Sequence, residues 1–423
     1  MSNRPLEGLR VLDFTRVYSG PFCTMLLADF GADVIKVERM ETGDDTRQFL
    51  PLVDGKEESG YFMYYNRNKK SIELDLKKQE AREIIYKIVK NVDIVVENYA
   101  PGVAARLGID YDTLKQYNPK IIYGSISGFG QTGPYRNKTA YDIIAQAMGG
   151  FMSVTGERDG RPLKLGTSIA DGNAGIHMAF AIMSAVYYRN KTGIGQYIDV
   201  SMQDTTFSTM ENMVMLYTYG GVNYPRSGNH QTSAAPFNAF KAKDGKYVAI
   251  AVANDSLFSR CMTAMGMPEL IDDPRFANNK TRKENEDIID EIVGGWVSQK
   301  NSDEICELLE AVKIPVGTVL SIPELIEDPQ LKARDMIVEM DHTTEGSVIM
   351  PGSPFKFSET KIDTFNSSPL LGENNEEILR EYAECSDGEI DAYYKAGTIK
   401  RRNTGKYNYQ YDQYELKGEK RVC

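Results

Sequence analysis

Through the first 130 residues, short apolar runs alternate with segments of helical spacing. Leu9–Phe14, Val34–Glu38, Ile94–Glu97 and Ile121–Ser127 are brief runs rich in strand formers, and Ser71–Leu76 alternates. Between them, Phe22–Phe30, Glu80–Lys90 and Val103–Leu107 read as helices. The first opens at Ser19-Gly20-Pro21, with Pro21 at the first helical position, and closes at Gly31. Strands separated by helices predict βαβ units and a parallel sheet covered on both faces.

Two long helical patterns between Ala140 and Tyr188 flank a polar loop, Gly156–Ser168. The second, Asn173–Tyr188, aligns Ala174, Met178, Ala181 and Ala185 on a face that allows close packing. Gly195–Met202 alternates as a strand, and Gly220–Ala235 reads as a linker. Beyond it a hairpin turns at Asp244-Gly245, and a helical block containing Trp296 runs to about Val312. This layout predicts an α/β protein. Residues 1–205 begin a large domain with a Rossmann-like parallel sheet, and 225–320 form a smaller α+β domain. Residues 321–398 link back to the large domain, with Ser321–Ala333 read as an extended linker. Residues 399–423 form a polar extension carrying Tyr407, Tyr409, Tyr411 and Tyr414, which fits either a strand laid on another surface or a mobile tail.

Composition narrows the function. The 423 residues are 41% apolar and 26% charged, an ordinary globular profile, and the net charge of −11 argues against nucleic-acid or membrane partners. It leaves room for an anionic ligand in a local basic pocket. The five cysteines are scattered without a CxxC pair, so neither disulfides nor a zinc site are expected, and a cytoplasmic location is. The N-terminus has no apolar signal region, and Ala174–Tyr188 is too short to span a bilayer. With only His177, His230 and His342, widely separated, no metal site is expected. Any chemistry must then run on carboxylates, amides and backbone donors.

Gly128-Phe-Gly-Gln-Thr-Gly133 spells GxGxxG after a strand, but Pro134 follows and no helix opens within it. It therefore fails as a dinucleotide fingerprint. The turn Arg16–Pro21 after the first strand lies where open α/β sheets bind ligands. Glu38-Arg39 ends the second strand, and Lys77 follows the third. Arg39 is either a surface arginine or, with Lys77, the recognition group for a phosphorylated ribose. Asp171, within Gly166–Gly175, is either the N-cap of the small-residue helix or a functional carboxylate served by the N–H groups of Gly172–Gly175.

These residues stand within a wider resemblance. Leu9–Thr15, Gly20-Pro21, Gly31–Arg39, Asn68–Asp75, Val96–Tyr99, Ser127–Pro134, Ala140–Asp142, the Asp171 region and Lys191–Gln196 together resemble the class III CoA-transferases of the formyl-CoA and carnitine CoA-transferase type. The resemblance covers residues 5–398 and implies an interlocked homodimer. It also implies CoA transfer from an acyl-CoA to a carboxylic acid, with coenzyme A as substrate and no permanently bound cofactor. Asp171 matches the family's catalytic aspartate. Val17, Tyr18, Ser19, Arg39, Leu74, Lys77, Asn98, Tyr99, Ala100 and Arg106 match its CoA contacts, and Tyr141 and Asp142 match a pair near the reacting centre. Two features depart from formyl-CoA transferase: Tyr18 replaces a glutamine, and the consecutive glycines over its active site have no counterpart. Both weaken a formate or oxalate assignment. The same fold also serves α-methylacyl-CoA racemases, but those carry a histidine at the place of Tyr141, and no histidine stands there.

Overall fold

A computed structural model describes residues 4–52, 58–362 and 365–400. Six parallel strands, β1 (Arg10–Asp13), β2 (Asp33–Glu38), β3 (Lys69–Glu73), β4 (Ile94–Glu97), β5 (Ile122–Ser127) and β6 (Tyr197–Ser201), form one sheet. Their order is β3-β2-β1-β4-β5-β6, with Leu12 paired to Ile35 on one side and Val95 on the other. Because successive side chains alternate faces, the sheet feeds two cores. Leu12, Ile35, Val37, Ile72 and Val95 pack with Ile84, Ile85 and Ile88 of helix Gln79–Val89. Val11, Val34, Ile94, Val96 and Ile122 pack against helices Ser19–Asp29 and Ile169–Thr192.

The expected strands are present, although β3 starts and ends before the alternating stretch Ser71–Leu76. The long helix expected from Ala140 is instead two short ones, Asp142–Gly149 and Phe151–Val154, interrupted at Gly150 with φ +110°. That backbone conformation is open to glycine and breaks the helical hydrogen-bond ladder.

The chain divides into two compact units. One comprises residues up to Gly149, Thr167–Thr209 and the chain from Asp335 onward. The other comprises Gly150–Gly166 and Met210–Arg334, wider than the 225–320 expected for a smaller domain. Its antiparallel sheet β7 (Phe237–Lys241), β8 (Tyr247–Ala251) and β9 (Val316–Thr318) turns at Gly245 as expected. Helices Asp255–Ala264, Glu286–Val297 and Ser302–Ala311 supply Phe258, Ile289, Val293 and Ile305 to its core. Ser321–Ala333 is not extended: it folds as helices Ile322–Glu327 and Pro329–Ala333. A Ser321–Glu324 capping box starts the first, and the Asp328 side chain caps the second.

The chain returns through a hairpin, β10 (Ile337–His342) and β11 (Gly346–Pro351), to helices Asn375–Glu381 and Asp387–Lys395. Ile378, Leu379, Tyr382 and Ile390 of these helices complete the first core of the parallel sheet. The tyrosines of the C-terminal extension lie outside the described residues. Among those described, no helix is long and apolar enough to cross a membrane.

Candidate active site

The strand order reverses between β1 and β4, and the turn after β1 lies at that switch point. Val17 there has φ +67°, a costly conformation for a β-branched residue. Its neighbours hold it in place. Asn98, just past β4, accepts from the Arg16 amide at 2.8 Å and donates to the Arg16 carbonyl at 2.7 Å. Asp44 accepts from the Val17 amide at 3.3 Å. The turn delivers Tyr18 and Ser19 to helix Ile169–Thr192, which approaches closely because it carries glycines. A Cβ on Gly172 would lie 2.8 Å from the Tyr18 hydroxyl, and one on Gly175 would lie 2.6 Å from the Ser19 carbonyl.

Asp171 sits in the first turn of that helix but does not cap it. The buried Asp142 does so from another helix, its Oδ1 accepting from the amides of Ala170 at 2.8 Å and Asp171 at 3.5 Å. Gln146 donates to the other Asp142 oxygen at 2.6 Å. The partly buried Asp171 carboxylate is left to interact with the Ser19 side chain. Burial pushes its pKa up to about 7 and the Asp142 charge adds to the rise, against the Ser19 hydrogen bond.

Tyr18, Phe22, Tyr61 and Tyr65 cluster next to this carboxylate, with the Tyr18 and Tyr65 rings 4.5 Å apart. The Asp171 charge helps to hold the Tyr18 and Tyr61 hydroxyls in their protonated form, and burial does most of it. The N–H groups of Gly172–Gly175 are not the free donors expected of them. They lie inside the helix, where the Gly172 amide already donates to the Ser168 carbonyl.

Thr15 and Arg16, at the other end of the same turn, line a cavity of about 670 Å³. Four of the expected contacts, Arg39, Leu74, Lys77 and Tyr99, also line it. The guanidinium of Arg39 pairs with Asp45 and donates to the Gly43 carbonyl at 3.2 Å. Arg16 lies 3.7 Å from the same Asp45 and over the Tyr99 ring. The Lys77 ammonium has no partner among the described residues.

Glu38, at the strand end where a ribose ligand would sit, is buried and fully engaged. It accepts from Arg47 at 2.7 and 2.8 Å, Ser71 at 2.7 Å and the Asp44 amide at 3.0 Å. Recognition at that corner is thereby left to the cations.

Of the other expected contacts, Val17 and Asn98 build the turn, whereas Ala100 and Arg106 are exposed beside the cavity-lining Val103. Tyr141 is 77% exposed while its neighbour Asp142 is buried. The GxGxxG loop is followed by no helix before Asp142. Its Gly130 and Gln131 amides are held by Ser127 and Asp199 at 2.9 Å each. Sequence reading missed Lys36, Tyr61, Tyr65 and Lys400. A lysine inside the buried strand Val34–Glu38 was a signal for the first: its ammonium meets Asp44 at 2.9 Å on the cavity wall.

A doubly wound sheet with a basic cavity at its switch point, and a basic carboxylate one turn away, frames the comparison with known proteins. The CoA-transferase family III profile matches residues 6–375, and the chain belongs to that family of enzymes. It is 36% identical over 403 residues to the succinyl-CoA:glutarate CoA-transferase of Mus musculus, covering 95% of this chain and 92% of that one. It is 37% identical over 420 residues to the formyl-CoA:oxalate CoA-transferase of Bradyrhizobium diazoefficiens, covering 94% and 97%. The crystal structure of a CAIB/BAIF family protein from Brucella suis superposes with a TM-score of 0.80 at 37% identity, covering 90% of this chain and all of that one.

Proposed function

We propose that this CoA-transferase moves coenzyme A from an acyl-CoA to a carboxylic acid through covalent intermediates on Asp171. One observation carries the reading: the Asp171 carboxylate, relieved of helix capping by Asp142, shares a single turn with the basic cavity. The ionised carboxylate attacks the thioester carbonyl, the C–S bond breaks, and a mixed anhydride and CoA thiolate result. The thiolate attacks the aspartyl carbonyl and expels the donor acid, leaving an aspartyl-CoA thioester. The acceptor carboxylate attacks that thioester and releases the thiolate. Thiolate attack on the acceptor side of the new anhydride then yields the product and free Asp171. Each step replaces one difficult exchange with two easier ones. A raised pKa makes the aspartate more nucleophilic once ionised, and the Ser19 and tyrosine hydroxyls near it are the side-chain donors available to developing oxyanions.

The cavity takes the nucleotide, with Arg39 on the 3′-phosphate of the adenosine ribose. Losing such a charge-assisted contact typically costs ~1.5–3 kcal/mol. Arg39→Ala should therefore weaken coenzyme A far more than dephospho-coenzyme A in calorimetric titrations, and equal losses would refute the assignment. For the reaction, wild-type and Asp171→Asn proteins are incubated with a panel of acyl-CoAs and acids and read by mass spectrometry. Transfer by the wild type alone supports the reading; comparable transfer by Asp171→Asn removes it. The names of the relatives make dicarboxylates such as succinate, glutarate and oxalate the first acids to test, while Tyr18 in place of glutamine argues against formate as the acyl group.

We further propose an interlocked homodimer. Support comes from apolar side chains left open on helices Asp142–Gly149 and Ile169–Thr192, among them Ile143, Ile144, Ile176, Phe180 and Tyr187. A surface of this kind ordinarily marks an interface.

A further inference from the structure

The family match ends at residue 375, yet part of the cavity wall comes from beyond it: Gly397 and Lys400 line the same cavity as Arg39 and Lys77. This stretch is firmly seated. Thr398 and Ile399 are each 1% exposed, Ile399 within the first core of the sheet. The Lys78 ammonium donates to the Gly397 carbonyl at 2.8 Å. Asn375 donates to the Lys400 carbonyl at 3.2 Å while accepting from the Glu73 amide of β3 at 2.9 Å, tying the segment to the sheet. The backbone is thus fixed, and the long Lys400 side chain stays at the rim, half exposed. There it pairs with Glu41, which also lines the cavity two residues beyond Arg39.

An exposed ion pair contributes little to folding, so exchanging one partner for a ligand anion costs little. Resting on the coenzyme A reading above, we infer that Lys400 binds the 3′-phosphate of the nucleotide together with Arg39, Glu41 holding its ammonium in the empty cavity and yielding it to the ligand. Lys400 is then a substrate-binding residue contributed by a part of the chain that the family match does not include.

The test is isothermal titration of the full-length protein and its Lys400→Gln and Glu41→Gln variants with coenzyme A and with dephospho-coenzyme A. Lys400→Gln should weaken coenzyme A about tenfold, the effect of one charged hydrogen bond, and leave dephospho-coenzyme A unchanged. Glu41→Gln should tighten coenzyme A alone. Lys400→Gln with unaltered affinity for coenzyme A, or with equal losses for both ligands, would overturn the assignment, as would weaker coenzyme A binding by Glu41→Gln. Wild-type protein that binds neither ligand would instead overturn the coenzyme A reading itself, and this assignment with it.

Discussion

A carboxylate in the first turn of a helix is ordinarily anchored by the amides it caps, and Asp171 is spared that work because Asp142 does it. The cap belongs to a residue 29 positions upstream, so local spacing around Asp171 could not reveal it. What spacing did reveal was an acidic residue among glycines, and those glycines serve close helix contact rather than donation. The energetic consequences are testable. With its pKa raised from 3.8 to about 7, ionised Asp171 opposes folding. The penalty grows as pH rises from about 4 to about 7 and is constant above. At 1.4 kcal/mol per unit the full shift corresponds to at most about 4 kcal/mol. Asp171→Asn should abolish transfer yet unfold at a higher temperature than wild type at pH 8, with little gain at pH 4. The wild-type kcat/KM should rise with pH along a limb near 7. Asp142→Asn removes a like charge but keeps an accepting oxygen, so its limb should move to lower pH. A limb that stays in place would show that Asp142 does not tune the nucleophile.

At the scale of elements, the strands were legible because buried parallel strands leave continuous apolar runs, and the Asp244-Gly245 turn announced its hairpin. The errors came where local chemistry outweighed composition. Ser321–Ala333 looked polar and unstructured, but its capping residues start two helices. The helix at Ala140 was read through Gly150, where the backbone turns left-handed. The contact between helices Ser19–Asp29 and Ile169–Thr192 is the joint on which the site depends. Gly175→Ala would place a methyl 2.6 Å from the Ser19 carbonyl, forcing that turn away from Asp171. A large loss of kcat with coenzyme A binding largely retained is expected. Beside the cavity, buried Arg47 pairs with Glu38 and Glu58 at 2.7–2.8 Å. Arg47→Ala would strand both carboxylates, with an expected loss of about 3–5 kcal/mol in denaturant titration.

For the molecule as a whole, the sequence indicated an α/β chain with two units, and the family resemblance supplied the dimer. The unit boundaries escaped because Gly150–Gly166 clusters with residues more than forty positions away, a tertiary choice without a local signature. The open apolar side chains of helix Ile169–Thr192, with Phe180 75% and Tyr187 63% exposed, call for a partner. Light scattering should report about twice the 47.4 kDa chain mass, and Phe180→Arg should lower it or cause aggregation. A folded, active monomer at low micromolar concentration would contradict the interlocked arrangement while leaving the chemistry intact.

The central claim is that Asp171 carries the transferred group, and trapping that group tests it most directly. The enzyme is mixed with a turned-over acyl-CoA, quenched with hydroxylamine, digested and mapped by mass spectrometry. An aspartyl anhydride or thioester is converted to the hydroxamate, whereas a free carboxylate is not. The account predicts hydroxamate at Asp171, dependent on the acyl-CoA and absent from Asp171→Asn. A fully active sample whose Asp171 peptide stays unmodified, or whose hydroxamate maps to another residue, would contradict it.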